Sequence, residues 1–139
     1  MEELKIDRAQ AQKEVNEWLS KTRRMSDAKM ESQKDAIEAL VEAVSSGNIT
    51  IDPESGKMTQ KLVFPVKNDT GGVELDTFEY SARLRYKDVK SHLKGVKNDD
   101  GMGMVHAHVC GLVRKPMAFI DNLDFYDLNI ARSIAALFL

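Results

Sequence analysis

The first 46 residues contain neither proline nor glycine, and this absence of helix breakers is the strongest local signal in the chain. The stretch is rich in Glu, Lys, Ala, Gln and Met, which are good helix formers. Its second half has the i, i+3, i+4, i+7 spacing of one helical face: Ile37, Leu40, Val41 and Val44. The stretch therefore predicts two helices, the second ended by Ser46, Gly47 and Asn48.

The first of these helices has only a thin apolar stripe. It consists of Ile6, Ala9, Lys13, Val15, Trp18 and Leu19. A helix with so narrow a stripe needs a partner surface to be stable. Trp18 is followed closely by Arg23 and Arg24, and Trp and Arg are both enriched at interface hot spots. Trp18 and Leu19 are therefore candidate protein-binding residues, and packing on the chain's own domain is the alternative.

After residue 48 the composition shifts to β-branched and apolar runs that alternate with turn sequences. The runs begin at residues 49, 61 and 73, and turn-forming sequences at 52–56 and 68–72 separate them. The last run alternates apolar and polar residues as far as residue 86. This pattern predicts three or four antiparallel strands.

The remaining third of the chain returns to helical spacing. A short helix is expected from residue 87, and another at 103–113, bounded by Pro116. Asp124 stands at the N-cap position of a terminal helix. One face of that helix is apolar: Leu128, Ala131, Ile134, Ala135 and Phe138. The predicted fold is α+β, with a helical segment at 1–47, an α+β domain at 48–139, and the two forming one compact unit.

Composition excludes several classes of protein. Cys110 is the sole cysteine, so no intrachain disulfide can form, which fits a reducing cytoplasm. The charged N-terminus lacks the apolar core of a signal peptide, and no run of 18 apolar residues is present. With a net charge of −2, the chain lacks the strongly basic field expected of a nucleic-acid binder. We therefore expect a cytoplasmic protein that binds neither membrane nor nucleic acid.

One stretch departs from this acidic average. It contains Arg83, Arg85, Lys87, Lys90, Lys94 and Lys97, interrupted by Asp88. The four lysines fall on one face of a helix. Such a face is typically solvated surface, and the alternative is a local patch that steers an acidic protein segment.

His106, His108 and Cys110 form the only cluster of metal-ligand residue types. On a strand the three side chains would share one face and could hold one zinc or iron ion. On a helix, residues two positions apart diverge by about 200° and the set would be separated. The cluster therefore offers a small metal-binding protein as an alternative function.

Motifs for catalysis are absent from the sequence. Nucleophilic catalysis needs a Ser or Cys beside an oriented base, and no strained G-x-S-x-G turn or cysteine-enzyme signature occurs. The run Gly101-Met102-Gly103-Met104 lacks the Lys-Ser/Thr of a phosphate loop. We therefore expect a non-enzymatic protein without a cofactor.

The order of short motifs between 61 and 139 adds a family resemblance. They are Leu62, Phe64, Pro65 and Val66 at a strand start, a glycine turn, a strand at 73–84 ended by Arg85, a helix start at 86–89, a segment at 107–112 with Gly111, and an aspartate-bearing loop at 120–127 before the last helix. In this order and spacing the segment resembles the tail assembly chaperones of Mu-like, contractile-tailed phages.

The resemblance implies a non-catalytic factor that binds the tape measure protein, or early tail subunits, in the host bacterium while the tail is built. On this hypothesis we expect the binding surface to include the apolar stripe around Trp18 and Leu19, together with exposed parts of the last helix near Phe125 and Tyr126. A structural tail or baseplate component that self-assembles is the alternative, with the same surfaces as subunit interfaces. Homo-oligomerisation is left open.

Overall fold

The computed structural model describes residues 6–139. Within that range seven α-helices flank a three-stranded antiparallel sheet, which confirms the predicted α+β class. The elements are α1 (Arg8–Lys21), α2 (Asp27–Ser32), α3 (Lys34–Ser45), β1 (Ile49–Ile51), β2 (Met58–Lys67), β3 (Val73–Tyr80), α4 (Tyr86–Lys90), α5 (Gly101–Val113), α6 (Ala118–Asp121) and α7 (Phe125–Ala136). The part of the predicted helical segment before Ile6 lies outside the described residues.

Side-chain caps mark where three of the four longer helices begin, and α3 has none. The Asp7 carboxylate accepts from the Gln10 N–H at 2.9 Å at the start of α1, and Asp100 accepts from Gly103 N–H at 2.8 Å at the start of α5. Asp124 accepts from the Tyr126 N–H at 2.9 Å, so the predicted cap of α7 is confirmed. Each cap satisfies a backbone donor that has no partner within its helix.

The predicted first pair of helices is a set of three. Helix α1 ends at Lys21, and Arg24 adopts a positive φ of 52° in the connection to α2. Ser26 then caps the six-residue α2, which has no buried residue. This short polar helix has no apolar stripe, and for that reason the periodicity did not predict it.

The sheet has the order β1-β2-β3, with both pairings antiparallel. The predicted turns at 52–56 and 68–72 both connect strands. The strand expected to reach residue 86 ends at Tyr80, which corrects that prediction. There the Ser81 N–H donates to the Leu112 carbonyl at 3.0 Å, and the chain leaves the sheet for α4.

One hydrophobic cluster joins the two ends of the chain. It runs from Ala11 in α1 through β1–β3 and α5 to Phe138 beyond α7. The predicted inner faces of α3 and α7 are buried, with Ile37 only partly so. Among residues 6–139, no helix combines the length and apolar character needed to cross a bilayer.

A candidate protein-binding site

An irregularity in the longest strand organises the site. Lys61 of β2 pairs with Thr77 of β3, but the next pair is Val66 with Leu75. Four β2 residues, 62–65, therefore lie opposite the single residue Asp76. Such a bulge leaves backbone N–H groups without partners in the ladder, and Pro65 has no N–H to satisfy.

The Asp127 carboxylate takes up the free donors of the bulge. The N–H groups of Val63 and Phe64 donate to Oδ1 and Oδ2 of Asp127 at 2.9 and 3.0 Å. Asp127 is fully buried, and it lies in the first turn of α7, where the helix dipole favours a negative charge. The carboxylate therefore attaches the start of α7 to the bulge.

A second hydrogen-bonded chain strengthens this attachment. The Gln60 side-chain NH₂ group donates to the Asp127 backbone carbonyl at 3.0 Å. The Gln60 side-chain oxygen accepts from the Tyr80 hydroxyl. Burial, and then the nearby Asp127 charge, raise the pKa of Tyr80 well above its ordinary value. Tyr80 thus stays a neutral donor, and every member of the chain has a partner, as a buried polar network requires.

The attachment brings the exposed rings of Phe64 and Tyr126 together at the surface, and exposed Phe125 precedes Tyr126 in the chain. Phe64 lies in the bulge, and Phe125 and Tyr126 open α7. The Phe64 and Tyr126 rings meet edge to face, with centroids 6.2 Å apart. Their residues are 52% and 51% exposed, and Phe125 is 74% exposed. We call Phe64, Phe125 and Tyr126 the aromatic patch.

A polar group borders the patch on the side of Phe125. The Arg132 guanidinium carbon lies 6.0 Å from the centre of the Phe125 ring. Arg132 Nε donates to His106 Nε2 at 3.1 Å, so the His106 proton is on Nδ1. Burial, followed by the Arg132 charge, lowers the pKa of His106. A neutral His106 therefore helps to hold Arg132 beside the exposed ring.

The structure places Trp18 and Leu19 in the core instead of on a binding surface. Trp18 is 3% exposed and Leu19 is fully buried. The Trp18 indole N–H donates to the Gly56 carbonyl at 2.9 Å, and its ring centroid lies 5.7 Å from that of Phe138. The expected surface around Trp18 is thus corrected, because packing on α3, β1, the turn at Gly56 and the C-terminus satisfies the stripe of α1.

The three candidate metal ligands, His106, His108 and Cys110, lie on α5, and the helix separates their side chains. His106 faces Arg132, whereas His108 Nδ1 lies 2.8 Å from the Met104 carbonyl, one turn back on the same helix. Cys110 is buried with its Sγ 3.5 Å from the Met117 sulfur, and burial raises its pKa to about 11. Between residues 6 and 139, no three His, Cys, Asp or Glu side chains are grouped to hold a metal ion.

Sequence reasoning found two residues of the aromatic patch and missed the groups that position it. Phe125 and Tyr126 were candidates, but Gln60 and Asp127 were not. Asp127 had one sequence signal, since it is a charged residue only one position before the apolar face of the last helix. Its partners lie more than 60 residues away in sequence, which no local pattern reveals.

Comparisons of the chain with protein-family models, with characterised proteins and with solved structures found no significant match.

Proposed function

We propose that this protein is a non-catalytic tail assembly chaperone of a phage or prophage, and that it binds the tape measure protein through the aromatic patch. The observation that carries the proposal is the exposure of Phe64, Phe125 and Tyr126 on a firmly attached surface. Large aromatic side chains are enriched at interface hot spots, and a rigid presentation lowers the entropy lost on binding. All three residues belong to the segment 61–139 that resembles the chaperone family.

The patch suits an apolar helical partner. A tape measure protein exposes long amphipathic helices until tail tube subunits surround it, and uncovered apolar faces of this kind aggregate in water. The rings of Phe64 and Tyr126 supply apolar contact area, and Arg132 beside Phe125 supplies a polar border. An apolar centre with a polar rim is the usual arrangement of a protein-binding surface.

The test is co-expression with the tape measure protein of the same phage, followed by affinity capture. The variant Phe125→Ser/Tyr126→Ser should reduce capture roughly tenfold or more, because hot-spot truncations typically cost over 1 kcal/mol each. Tyr86→Ser is the matched control, since Tyr86 is 71% exposed on α4 and outside the patch. Equal loss of capture in the control would contradict the assignment of the site.

Mass spectrometry of purified particles separates the chaperone from a structural subunit. A chaperone binds the tape measure protein and is absent from finished particles. Stoichiometric presence in particles would instead identify a self-assembling tail or baseplate component. Failure to capture the tape measure protein at all would overturn both the partner and the proposed role.

A further inference from the structure

A second surface, distinct from the aromatic patch, carries concentrated positive charge. Residues 83–97 contain six basic residues and one acidic residue, although the formal net charge of the chain is −2. Three more cations join them, because Lys57, Arg114 and Lys115 line one groove together with Arg83. Lys87, Lys90 and Lys94 line a separate groove along α4. We use the name basic face for all nine residues: Lys57, Arg83, Arg85, Lys87, Lys90, Lys94, Lys97, Arg114 and Lys115.

Most of these cations have no counterion among residues 6–139. Of the ion pairs formed within residues 6–139, only Arg85–Asp88 involves the basic face, at 3.8 Å between Arg85 Nε and Asp88 Oδ2. The Asp88 carboxylate is also committed to the Arg85 backbone N–H at 2.9 Å. The positive charge of this face is therefore available to an external partner.

The centre of the basic face is a groove of about 650 Å³ between β3 and the end of α5. Buried Phe78 and Leu112 line it, and Glu79 is the one acidic residue among its described lining. A second groove, of about 420 Å³, shares Arg114 and Lys115 with it and continues to Asp88 and His92. The two grooves therefore adjoin at Arg114 and Lys115.

Two guanidinium groups along the main groove are already positioned. Arg114 adopts the left-handed conformation at the end of α5, with φ of 59°, and its Nε donates to Ser81 Oγ at 3.4 Å. Arg83 donates to the Thr22 carbonyl. A positioned cation loses less side-chain entropy on meeting a carboxylate than a free one.

The groove also follows a free strand edge. The sheet order places β3 at the end of the sheet, and within residues 6–139 no strand pairs with its outer side. Thr77 and Glu79 of β3 are exposed along the groove. An unpaired strand edge offers backbone donors and acceptors to an extended peptide.

We propose that the basic face binds an extended acidic segment of a partner protein, seated in the groove beside β3. Carboxylates of the segment meet Arg83, Arg114 and Lys115, and its backbone lies along the free edge of β3. This proposal does not rest on the tail-assembly role, because the basic face and the aromatic patch share no residue.

The chemistry of the groove favours this occupant over two others. A nucleic acid has no peptide N–H and C=O groups to pair with the free edge of β3. A second copy pairing β3 with β3 would bring Glu74, Asp76 and Glu79 of both copies together, and like charges on paired strands are destabilising. An acidic segment meets Glu79 as well, but Lys57, Arg83, Arg114 and Lys115 line the same groove and outnumber it. An extended acidic segment fits both the basic walls of the groove and the free strand edge.

Fluorescence anisotropy with a labelled 12-residue peptide of alternating Glu and Val tests the proposal on the full chain. The protein should bind this peptide, and binding should weaken as salt rises from 50 to 300 mM, because exposed charges are then screened. The variant Lys57→Glu/Lys115→Glu should weaken binding at least about tenfold, since like charges then face each other. Lys87→Glu/Lys90→Glu, on exposed α4, should weaken it less and serves as the second variant if the first does not fold.

The matched control is Lys13→Glu/Lys34→Glu, which changes net charge equally on α1 and α3. It should bind the peptide as the unaltered chain does, and a peptide with Lys in place of Glu should not bind. Equal weakening by the control, or no binding at all, overturns the proposal. Tighter binding of a 12-nucleotide oligo-dT than of the peptide would assign the face to nucleic acid. Light scattering could instead detect salt-sensitive dimers, and if Lys57→Glu/Lys115→Glu abolished them, the face would be assigned to a second copy.

Discussion

At the scale of single residues, Asp127 tests how the bulge in β2 is held. Asp127→Asn keeps the shape of the side chain but replaces one acceptor oxygen with an NH₂ donor, which would face the N–H of Val63 or Phe64. A buried donor without a partner costs about 1–3 kcal/mol. We expect the free energy of unfolding in urea to fall by this amount.

The control for this substitution lies three residues earlier on the same helix. Asp124→Asn also removes a carboxylate that accepts a backbone N–H, here that of Tyr126. Asparagine is as good an N-cap as aspartate, so this change should leave stability nearly unaltered. Equal destabilisation by the two variants would contradict the special role of the Asp127 carboxylate.

Cys110 should react slowly in the folded protein. Its side chain is fully buried, and burial raises its pKa to about 11. At pH 8 only about one thiol in a thousand is then ionised, and the thiolate is the reactive form. Iodoacetamide labelling followed by mass spectrometry should be slow, accelerate about tenfold per pH unit up to pH 10, and become rapid once urea unfolds the chain. Fast labelling at pH 8 without urea would contradict this burial.

At the scale of elements, Gly111 sets the distance between α4 and α5. A Cβ at this position would lie 2.9 Å from the Asp88 carbonyl oxygen and 3.1 Å from a Val89 methyl carbon. Gly111→Ala therefore forces the α4 backbone away, at a cost of about 1–3 kcal/mol. The higher helix propensity of alanine offsets about 1 kcal/mol of that cost. We therefore expect the free energy of unfolding, measured in urea, to fall by about 1 kcal/mol.

Gly101→Ala is the matched control in the same helix. No atom lies within 4 Å of a Cβ built at Gly101, so alanine meets no obstacle there. By restricting the unfolded chain it should stabilise the protein by about 0.4–1 kcal/mol. Opposite signs for the two glycine variants would support the close approach of α4 to α5, whereas a stabilising Gly111→Ala would contradict it.

Elements with strong local signals were predictable from the sequence. The apolar spacing of α3, the cap and buried face of α7 and the turns around β2 all have causes within about ten residues of sequence. The short helices α2 and α6 were not predicted, because neither has a full apolar stripe. The end of β3 at Tyr80 depends on the carbonyl of Leu112, which is distant in sequence.

The candidate site was predictable in part for the same reason. Phe125 and Tyr126 precede the apolar face of α7, so their exposure follows from helix periodicity. The stripe of α1 was predicted to need a partner surface, but the predicted stripe was wrong at Ala9 and Lys13, which are exposed, whereas Ala11 is buried. Sequence alone did not identify the partner as the chain's own α3, Gly56 and Phe138. The bulge and its Asp127 anchor depend on tertiary pairing, which the local pattern does not encode.

At the scale of the whole molecule, the N- and C-terminal regions depend on each other. The side chain of Arg23 donates to the Leu137 carbonyl at 3.2 Å, and its guanidinium carbon lies 4.0 Å from the centre of the Phe138 ring. Trp18 contacts the same ring. Because the helices at the N-terminus bury their apolar stripe against the end of the chain, neither region has a separate core.

This shared core predicts a single cooperative unfolding transition. Trp18 is the only tryptophan, so its fluorescence reports on the N-terminal helices, whereas far-UV circular dichroism reports on all helices and the sheet. In urea the two signals should change with the same midpoint and slope, as expected of a two-state domain. Phe138→Ala should shift both curves together and lower the free energy of unfolding by about 3–5 kcal/mol, the usual cost of this change at a phenylalanine core position. An earlier fluorescence transition that leaves part of the dichroism unchanged would show instead that residues 6–47 unfold on their own.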